Sequence, residues 1–215
     1  TQPIQVLVRG MEEVRKGNLA ADVEIPNKDE IGALAHSFNF MIAGLRERDR
    51  IKGTFQRFVS SQVAEKVLGA KDIVLTGERR RASILFADIR GFTSLSEKEN
   101  PERVVGLLNK YFTAMSEIIF AYGGTLDKYI GDGLMALFGA PNASPEDPKN
   151  ALKTAVAMQK RMKALNEELT AEGYHRVEIG IGLHTGIATI GYIGSEQRSE
   201  YTAIGDTVNL ASRLE

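Results

Sequence analysis

Residues 86–95, FADIRGFTSL, join an apolar run to a polar turn and decide how the rest of the chain must fold. The run begins at ASILFAD (82–88), and its unbroken apolar character predicts a strand that is buried on both faces of a sheet. It ends on Asp88, where the chain leaves the sheet, and ligands favour such strand ends. Asp88 is therefore either a ligand-binding carboxylate or a simple cap of the following turn.

A second apolar run meets an acidic turn in KYIGDGLMALFG (128–139). Asp132-Gly133 is a hairpin signal between two strands. By strand alternation Lys128 shares one face with Leu126 and Ile130, and a lysine on such a face is buried only when it is paired. Two interpretations of Lys128 follow: a lysine with an acidic or hydrogen-bonding partner, or an edge lysine whose amine reaches water.

The remaining elements alternate between helix and strand patterns. Residues 101–124 and 149–171 predict two amphipathic helices, the first of them capped by Asn100. VEIGIGLHTG and IATIGYIG (177–194) predict a further pair of strands, and a short strand and a helix close the chain. This mixture predicts an α/β sandwich over residues 79–215, with helices packed on one sheet.

Two further groups of residues are suited to phosphate. The turn after Asp88 offers the backbone N–H groups of Gly91, Phe92 and Thr93, which can cradle phosphate oxygens. Asn209 and Arg213 are four residues apart on one helix face, and a guanidinium group fits a phosphoryl oxygen. The alternative for the second pair is an ordinary surface position.

The first 50 residues carry two helical apolar seams. Gly17 and Pro26 prevent one continuous helix, and Asp29 is a suitable cap for the second. Two such helices per chain become stable as a four-helix dimer. Residues 51–78 predict a helical linker whose seam is one residue out of phase, followed by a solvated Arg79–Arg81 boundary. The seams consist of Ile4, Leu7, Met11 and Val14; Ile31, Leu34, Phe38, Met41 and Leu45; and, in the linker, Ile51, Phe55, Phe58, Gln62 and Glu65.

Composition narrows the class of protein. The 215 residues are 43% hydrophobic and 26% charged, as in an ordinary globular protein with one sizeable core and a smaller module. A net charge of −1 does not favour nucleic acid as a partner. The absence of cysteine excludes disulfides, zinc–thiolate sites and thiol catalysis. No stretch of about 20 apolar residues predicts a membrane-spanning helix. Both ends stop inside helical patterns, which indicates a piece of a longer protein.

Four stretches in this order and spacing resemble the class III nucleotidyl cyclases, and residues 1–50 resemble a HAMP signalling module. The cyclase resemblance implies a ferredoxin-like core that continues past residue 215, and a homodimer with its sites at the interface. It implies two Mg²⁺ or Mn²⁺ ions held by Asp88, Asp132 and the carbonyl of Ile89. The four stretches are FADIRGFTSLS, GGTLDKYIGDGLMALFG, IGLHTGIATIGYIG and YTAIGDTVNLASRLE.

The resemblance also assigns the substrate contacts. It implies that Lys128 and Thr202 read the purine, that Asn209 positions the ribose and that Arg213 meets the transferring phosphate. Lysine can donate to adenine N1 and threonine can accept from N6, so the expected reaction converts ATP to 3′,5′-cyclic AMP and pyrophosphate. Guanylyl members carry glutamate and cysteine at these two positions, and many adenylyl members carry aspartate where Thr202 stands.

Two alternatives remain open: a guanylyl cyclase, and a non-catalytic signalling dimer that binds nucleotide. The HAMP resemblance implies a parent protein with membrane helices and a sensor domain. The catalytic part would then lie at the cytoplasmic face of the plasma membrane, and the present chain would be a soluble fragment of that parent.

Overall fold

The structure is a computed structural model that describes residues 2–26, 29–58, 63–64, 77–195 and 197–215. The chain divides into two compact units, residues 1–59 and residues 60–215. Each unit has its own apolar cluster. The predicted domain boundaries after residues 50 and 78 stay predictions. One helix runs unbroken across residue 50.

The first unit consists of helix α1 (Gln2–Arg15), a connector and helix α2 (Glu30–Phe58). Asp29 caps α2 as predicted, because its Oδ1 accepts hydrogen bonds of 3.1 Å from the N–H groups of Ile31 and Gly32. The core of this unit is a small cluster of buried apolar side chains from all three segments: Leu7, Val23, Ala35, Phe38 and Ile42.

The connector is fastened to α2 by Asn39. The Asn39 side chain accepts from the Val23 N–H at 3.1 Å and donates to the Val23 carbonyl at 2.9 Å. On the α1 side, a Cβ atom at Gly10 would overlap the Val23 side chain, so glycine lets the connector approach the helix closely. These contacts satisfy a non-helical backbone segment that would otherwise carry open polar groups.

The predicted helical seams are divided between two environments. Leu7 and Phe38 are each only 4% exposed inside the unit, whereas Ile4, Met11, Leu34 and Met41 are between 44% and 53% exposed. A pair of helices can bury only one stripe of each, so the second stripe faces outward within one chain. The predicted seam positions Gln62 and Glu65 lie outside the described residues.

The second unit contains a five-stranded antiparallel sheet with helices packed on it. The strands are β1 (Gly77–Ile89), β2 (Thr125–Ile130), β3 (Gly133–Phe138), β4 (Ile179–Gly194) and β5 (Ser199–Ile204). The helices are α3 (Phe92–Ser96), α4 (Pro101–Ala121), α5 (Asp147–Ala171) and α6 (Asp206–Leu214). The strand order in the sheet is β2-β3-β1-β4-β5. The chain order β1-α4-β2-β3-α5-β4 is that of a ferredoxin-like fold, which confirms the predicted fold class.

Two strand predictions were wrong. β1 begins at Gly77, so Arg79–Arg81 belong to the strand and do not form a boundary before it. Residues 179–194 form one strand of 16 residues, not a pair, because β4 stays paired with β1 through Gly186. A Cβ at Gly186 would lie 2.6 Å from Thr207 Oγ1, so this glycine accommodates α6 and does not mark a turn.

The two faces of the sheet carry different helices. On one face, Leu85, Ala87 and Ile89 of β1 join buried residues of α4 and α5 in the main core. On the other face, α6 lies against β4, where a Cβ at Gly182 would overlap the Ala211 carbonyl oxygen. Since Asp88 pairs with Gly180 in the register of β1 and β4, Asp88 lies on the α6 face.

Helix α4 is the one helix in the described ranges that is long and apolar enough to cross a membrane, which the sequence analysis did not anticipate. Its buried residues Leu107, Tyr111, Met115 and Ile119 pack in the core of the sheet unit. This packing accounts for the apolar composition of the helix.

The substitution Gly182→Ala tests the close packing of α6 against β4. We expect it to lower the free energy of unfolding by about 1–3 kcal/mol, because the added methyl group meets backbone atoms of α6 that cannot rotate away. The control is Gly106→Ala, whose Cβ meets only the movable Tyr174 hydroxyl, at 2.5 Å. Thermal unfolding of both variants measures the difference, and equal melting temperatures would contradict it.

Candidate active site

The Asp88 and Asp132 side chains are hydrogen-bonded to each other at one end of the sheet, in agreement with what the family resemblance implied. Asp132 occupies the two-residue turn between β2 and β3, with Gly131 before it at a positive φ of 63°. The turn is therefore Gly131-Asp132, one residue earlier than predicted. A Cβ at Gly133 would lie 3.4 Å from Asp88 Oδ1, so the hairpin packs closely around that carboxylate.

The electrostatics of this pair are unfavourable without a counter-charge. Burial raises the pKa of Asp132 to about 6, and its hydrogen bond with Asp88 adds to the shift. The Ile89 N–H donates to Asp88 Oδ1 at 2.9 Å. The same N–H group acts to lower the pKa of Asp132, against the effect of burial. These contacts involve the Ile89 N–H, and the metal-binding role of the Ile89 carbonyl stays a prediction.

A cavity of about 400 Å³ opens beside Asp88. Burial, together with the charges of Asp88 and Asp132, raises the pKa of Glu215 at the edge of the same site. Buried Tyr111 approaches from the core side, where burial and then Asp88 raise its pKa. The cavity is lined by Asp88, Ile89, Arg90, Gly91, Gly180, Ser212 and Glu215.

The carboxylate pair fits a hard divalent cation. Mg²⁺ is commonly held by one or two carboxylates, with water and substrate phosphates completing its shell. Within the described ranges no three Asp, Glu or His side chains converge tightly enough to hold an ion by themselves. Asp88 and Asp132 therefore suit a cation whose remaining ligands are oxygens of a bound molecule, such as the phosphates of a nucleoside triphosphate.

The turn after β1 lies at the same cavity. Gly91 adopts a left-handed conformation with φ 68° and ψ 20° immediately before α3. The N–H groups in the first turn of a helix have no carbonyl partner within that helix. Phe92 and Thr93 supply two such groups beside Asp88, which agrees with their predicted contact to phosphate without testing it.

Lys128 and Thr202 are also brought together, although β2 and β5 are the outermost strands. Thr202 Oγ1 donates to Asp127 Oδ2 at 2.5 Å, and Lys128 Nζ lies 2.5 Å from Glu200 Oε2. These contacts require the sheet to curl until its two edges approach. Lys128 therefore has acidic partners, which resolves the two interpretations of this lysine in favour of pairing.

The strand alternation predicted around Lys128 was wrong. The pairing of β2 with β3 shifts between Leu126 and Lys128, which leaves Asp127 as an extra residue in a β-bulge. Leu126 packs against the main core, while Lys128 reaches Glu200 on β5. The bulge separates the two side chains that regular alternation would place on one face.

Asn209 and Arg213 lie on α6 with exposed side chains. Neither contacts the Asp88–Asp132 pair in the contacts described within one chain, whereas Ser212 on the same helix lines the Asp88 cavity. Within one chain the structure therefore forms two clusters: Asp88, Asp132 and the Gly91 turn in one, and Lys128, Thr202 and their acidic partners in the other. Arg213 and Asn209 join neither cluster.

Asp127 and Glu200 are the residues that the sequence analysis missed. Asp127 has no exposed side-chain area, and burial raises its pKa while the Thr202 hydrogen bond opposes that shift. Its position next to Lys128 in the DKYIGD stretch was the available signal. Strand alternation concealed it, because adjacent residues of a regular strand point to opposite faces.

Comparisons with known proteins agree with this geometry. The family model for the adenylate and guanylate cyclase catalytic domain matches residues 75–215, and the HAMP domain model matches residues 1–47. The chain therefore belongs to the adenylate and guanylate cyclase catalytic domain family and carries an N-terminal HAMP domain.

Among the similar proteins, some are named adenylate or adenylyl cyclase and others guanylyl cyclase. An adenylate cyclase of Anabaena cylindrica is 37% identical over 227 residues, which cover 100% of this chain and 44% of that protein. The solved guanylyl cyclase Cya2 is 45% identical with a TM-score of 0.63, covering 64% of this chain and 70% of that chain. The solved adenylyl cyclase CyaB from P. aeruginosa is 43% identical with a TM-score of 0.63, covering 65% and 73%. The chain thus spans less than half of its curated relative.

The raised pKa of Asp132 predicts how the metal-free protein responds to pH. The folded pKa of about 6 exceeds the ordinary value of 3.8 in the unfolded chain, so this carboxyl favours folding when protonated and loses that contribution as pH rises through 6. In EDTA, Asp132→Asn should therefore raise the melting temperature at pH 8 and leave it nearly unchanged at pH 3.5. Exposed Glu97→Gln is the control, and a lower melting temperature for Asp132→Asn at pH 8 would contradict the prediction.

Proposed function

We propose that this chain is an adenylyl cyclase module that converts ATP to 3′,5′-cyclic AMP and pyrophosphate at the interface of a homodimer. Membership of the cyclase family supplies the reaction class. The observation that carries the choice of ATP is that Lys128 and Thr202 belong to one cluster, linked through Glu200 and Asp127, with neither glutamate nor cysteine at these two positions. Lysine offers a donor for adenine N1, and threonine offers an acceptor for the N6 amino group.

Each residue group then has a defined task. Asp88 and Asp132, with the carbonyl of Ile89, hold Mg²⁺ or Mn²⁺, which supplies Lewis-acid stabilisation of an attacking oxygen and of phosphate charge. Gly91, Phe92 and Thr93 bind phosphate oxygens through their N–H groups. Asn209 orients the ribose so that its 3′-hydroxyl faces the α-phosphate, and Arg213 donates to the charge that grows on the phosphate.

The separation of the two clusters supports a site shared between protomers. In one chain, Lys128 is engaged by Glu200 at 2.5 Å and Asp127 at 3.5 Å, and neither partner is one of the proposed metal ligands. Apolar side chains lie exposed on the β2 edge and on α6, including Ile130 at 52% and Leu214 at 56%. A second copy that covers these surfaces would bring its Lys128, Thr202, Asn209 and Arg213 to the Asp88 cavity of the first.

The HAMP domain gives this dimer a means of control. Its exposed stripe of Ile4, Met11, Leu34 and Met41 suits a parallel four-helix arrangement with a second copy. Rotation of those helices would change the angle between catalytic units, as expected for a cytoplasmic module of a membrane receptor. Because the chain contains no cysteine, an Ile51→Cys disulfide can lock α2 to its partner, and unchanged turnover in the locked dimer would contradict this role.

The decisive assay measures cyclic AMP and cyclic GMP formed from ATP and GTP with Mg²⁺ and with Mn²⁺. We expect ATP to be the better substrate, and Asp88→Ala to reduce turnover to background because one remaining carboxylate cannot neutralise two divalent ions beside a triphosphate. Glu97→Gln, a surface carboxylate of the same unit, is the matched control and should keep its activity. Product formation that survives Asp88→Ala would refute the metal role, and absence of any cyclic product would leave a nucleotide-binding dimer.

A guanylyl cyclase is the second candidate, because the 45% identical Cya2 bears that name. The same assay separates the two, since a higher kcat/KM for GTP than for ATP would favour it. In that case Lys128→Glu would be expected to retain GTP turnover, as glutamate can accept from guanine N1 and N2. For an adenylyl cyclase, Lys128→Glu should instead remove ATP turnover.

Mixing two inactive variants tests the shared site. Arg213→Ala alone should lower turnover by about 10²–10³-fold, as for the loss of one charge-stabilising donor. An equimolar mixture of Asp88→Ala and Arg213→Ala should regain about a quarter of wild-type activity, because half of the dimers are mixed and each has one intact site. A mixture as inactive as its components would show that all these residues act within one chain.

A further inference from the structure

The bulge in β2 directs two consecutive side chains, one acidic and one basic, to the same strand at the opposite edge of the sheet, β5. Asp127 is the extra residue between the pairs Leu126–Ala136 and Lys128–Met135. In a regular strand Asp127 and Lys128 would point to opposite faces. Here Asp127 contacts Thr202 and Lys128 contacts Glu200, and both partners belong to β5. The bulge therefore places a buried carboxylate directly beside the predicted purine-reading threonine.

The hydrogen bond between these two residues has a defined direction. An ionised carboxylate can only accept, whereas a hydroxyl carries one hydrogen and two lone pairs. Asp127 has no exposed side-chain area, its Oδ2 lies 2.5 Å from Thr202 Oγ1, and its Oδ1 lies 3.5 Å from the Lys128 ammonium. Burial raises the pKa of Asp127, while the Thr202 hydrogen bond and then the Lys128 charge act to lower it. When Asp127 is ionised, it holds the single hydroxyl hydrogen of Thr202, and only the Thr202 lone pairs remain for a ligand.

We propose that Asp127 is a positioning residue for purine discrimination: by holding the Thr202 hydroxyl hydrogen, it makes Thr202 an acceptor for the 6-amino group of adenine that repels the 6-oxo group of guanine. A threonine without such a partner could rotate and donate to the 6-oxo group equally well. This inference rests on the proposed function and gives its preference for ATP a physical origin.

The test compares three nucleotides in the Asp127→Asn variant. Asparagine can donate its amide hydrogen to Thr202, which frees the hydroxyl hydrogen for a 6-oxo group. We expect the ATP:GTP ratio of kcat/KM to fall about 10- to 100-fold, with a loss for ATP and a gain for GTP. Purine riboside triphosphate, which has no group at position 6, should show only the smaller loss that follows from removing a charge 3.5 Å from the Lys128 ammonium. An equal loss for all three nucleotides would show a merely structural role and overturn the inference.

Two further variants sharpen the result. Glu200→Gln disturbs Lys128 and leaves Thr202 and Asp127 in place, so it should affect ATP and purine riboside triphosphate alike, because both present the same N1 acceptor. Combining Asp127→Asn with Thr202→Asp restores a group that can only accept, and should return the ATP:GTP ratio to within about tenfold of wild type. A double variant no more selective than Asp127→Asn would contradict the direction of the hydrogen bond.

Binding measurements separate this inference from the proposed function. The probes are 3′-deoxy-ATP and 3′-deoxy-GTP, which lack the attacking hydroxyl and cannot cyclise. A wild-type chain that forms no cyclic product refutes the proposed enzyme, yet a binding ratio that falls in Asp127→Asn still supports the role of Asp127. A chain that prefers ATP while Asp127→Asn leaves both ratios unchanged overturns the inference alone. A wild-type chain that binds neither probe overturns both.

Discussion

The close approach of the Asp88 and Asp132 carboxyls is the constraint around which the sheet unit is arranged. Asp88 lies near the end of the central strand, Asp132 occupies the turn between β2 and β3, and the main chain at Gly133 packs closely against Asp88. Holding two half-buried carboxyls together is unfavourable, because burial and their mutual contact both raise the pKa of Asp132. The proposed cation would relieve this, and Ser212 of α6 and the Gly91 turn line the same cavity.

Sequence reasoning was most reliable where a single residue type admits one local structure. The unbroken apolar character of residues 84–87 predicted the buried central strand, and Asn100 and Asp29 were correctly expected to cap their helices. These inferences need only the local chain and the period of its apolar residues. The approach of Asp88 and Asp132 was expected from the family resemblance, since each aspartate alone also fitted an ordinary turn.

The errors arose where tertiary contacts decide the local conformation. Gly186 reads as a turn, yet it continues a long strand because a helix residue requires its space. Regular strand alternation would place Asp127 and Lys128 on opposite faces, yet a one-residue bulge directs both side chains toward β5. The N-terminal seams read as uniform, yet Leu7 is buried and Met11 exposed, because the number of helices available in one chain sets how much can be covered. Periodicity carries none of this information.

The curvature that brings the two edge strands of the sheet together has a consequence for the order in which the protein folds. Thr202 and Asp127 are 75 residues apart along the chain, and Lys128 and Glu200 are 72 apart. Contacts between such distant positions form only after the intervening strands have assembled, because each must first overcome the entropy of closing a long loop. The contacts that we propose to distinguish one base from another are thus expected to be completed late in folding, so that a partly folded chain would lack them.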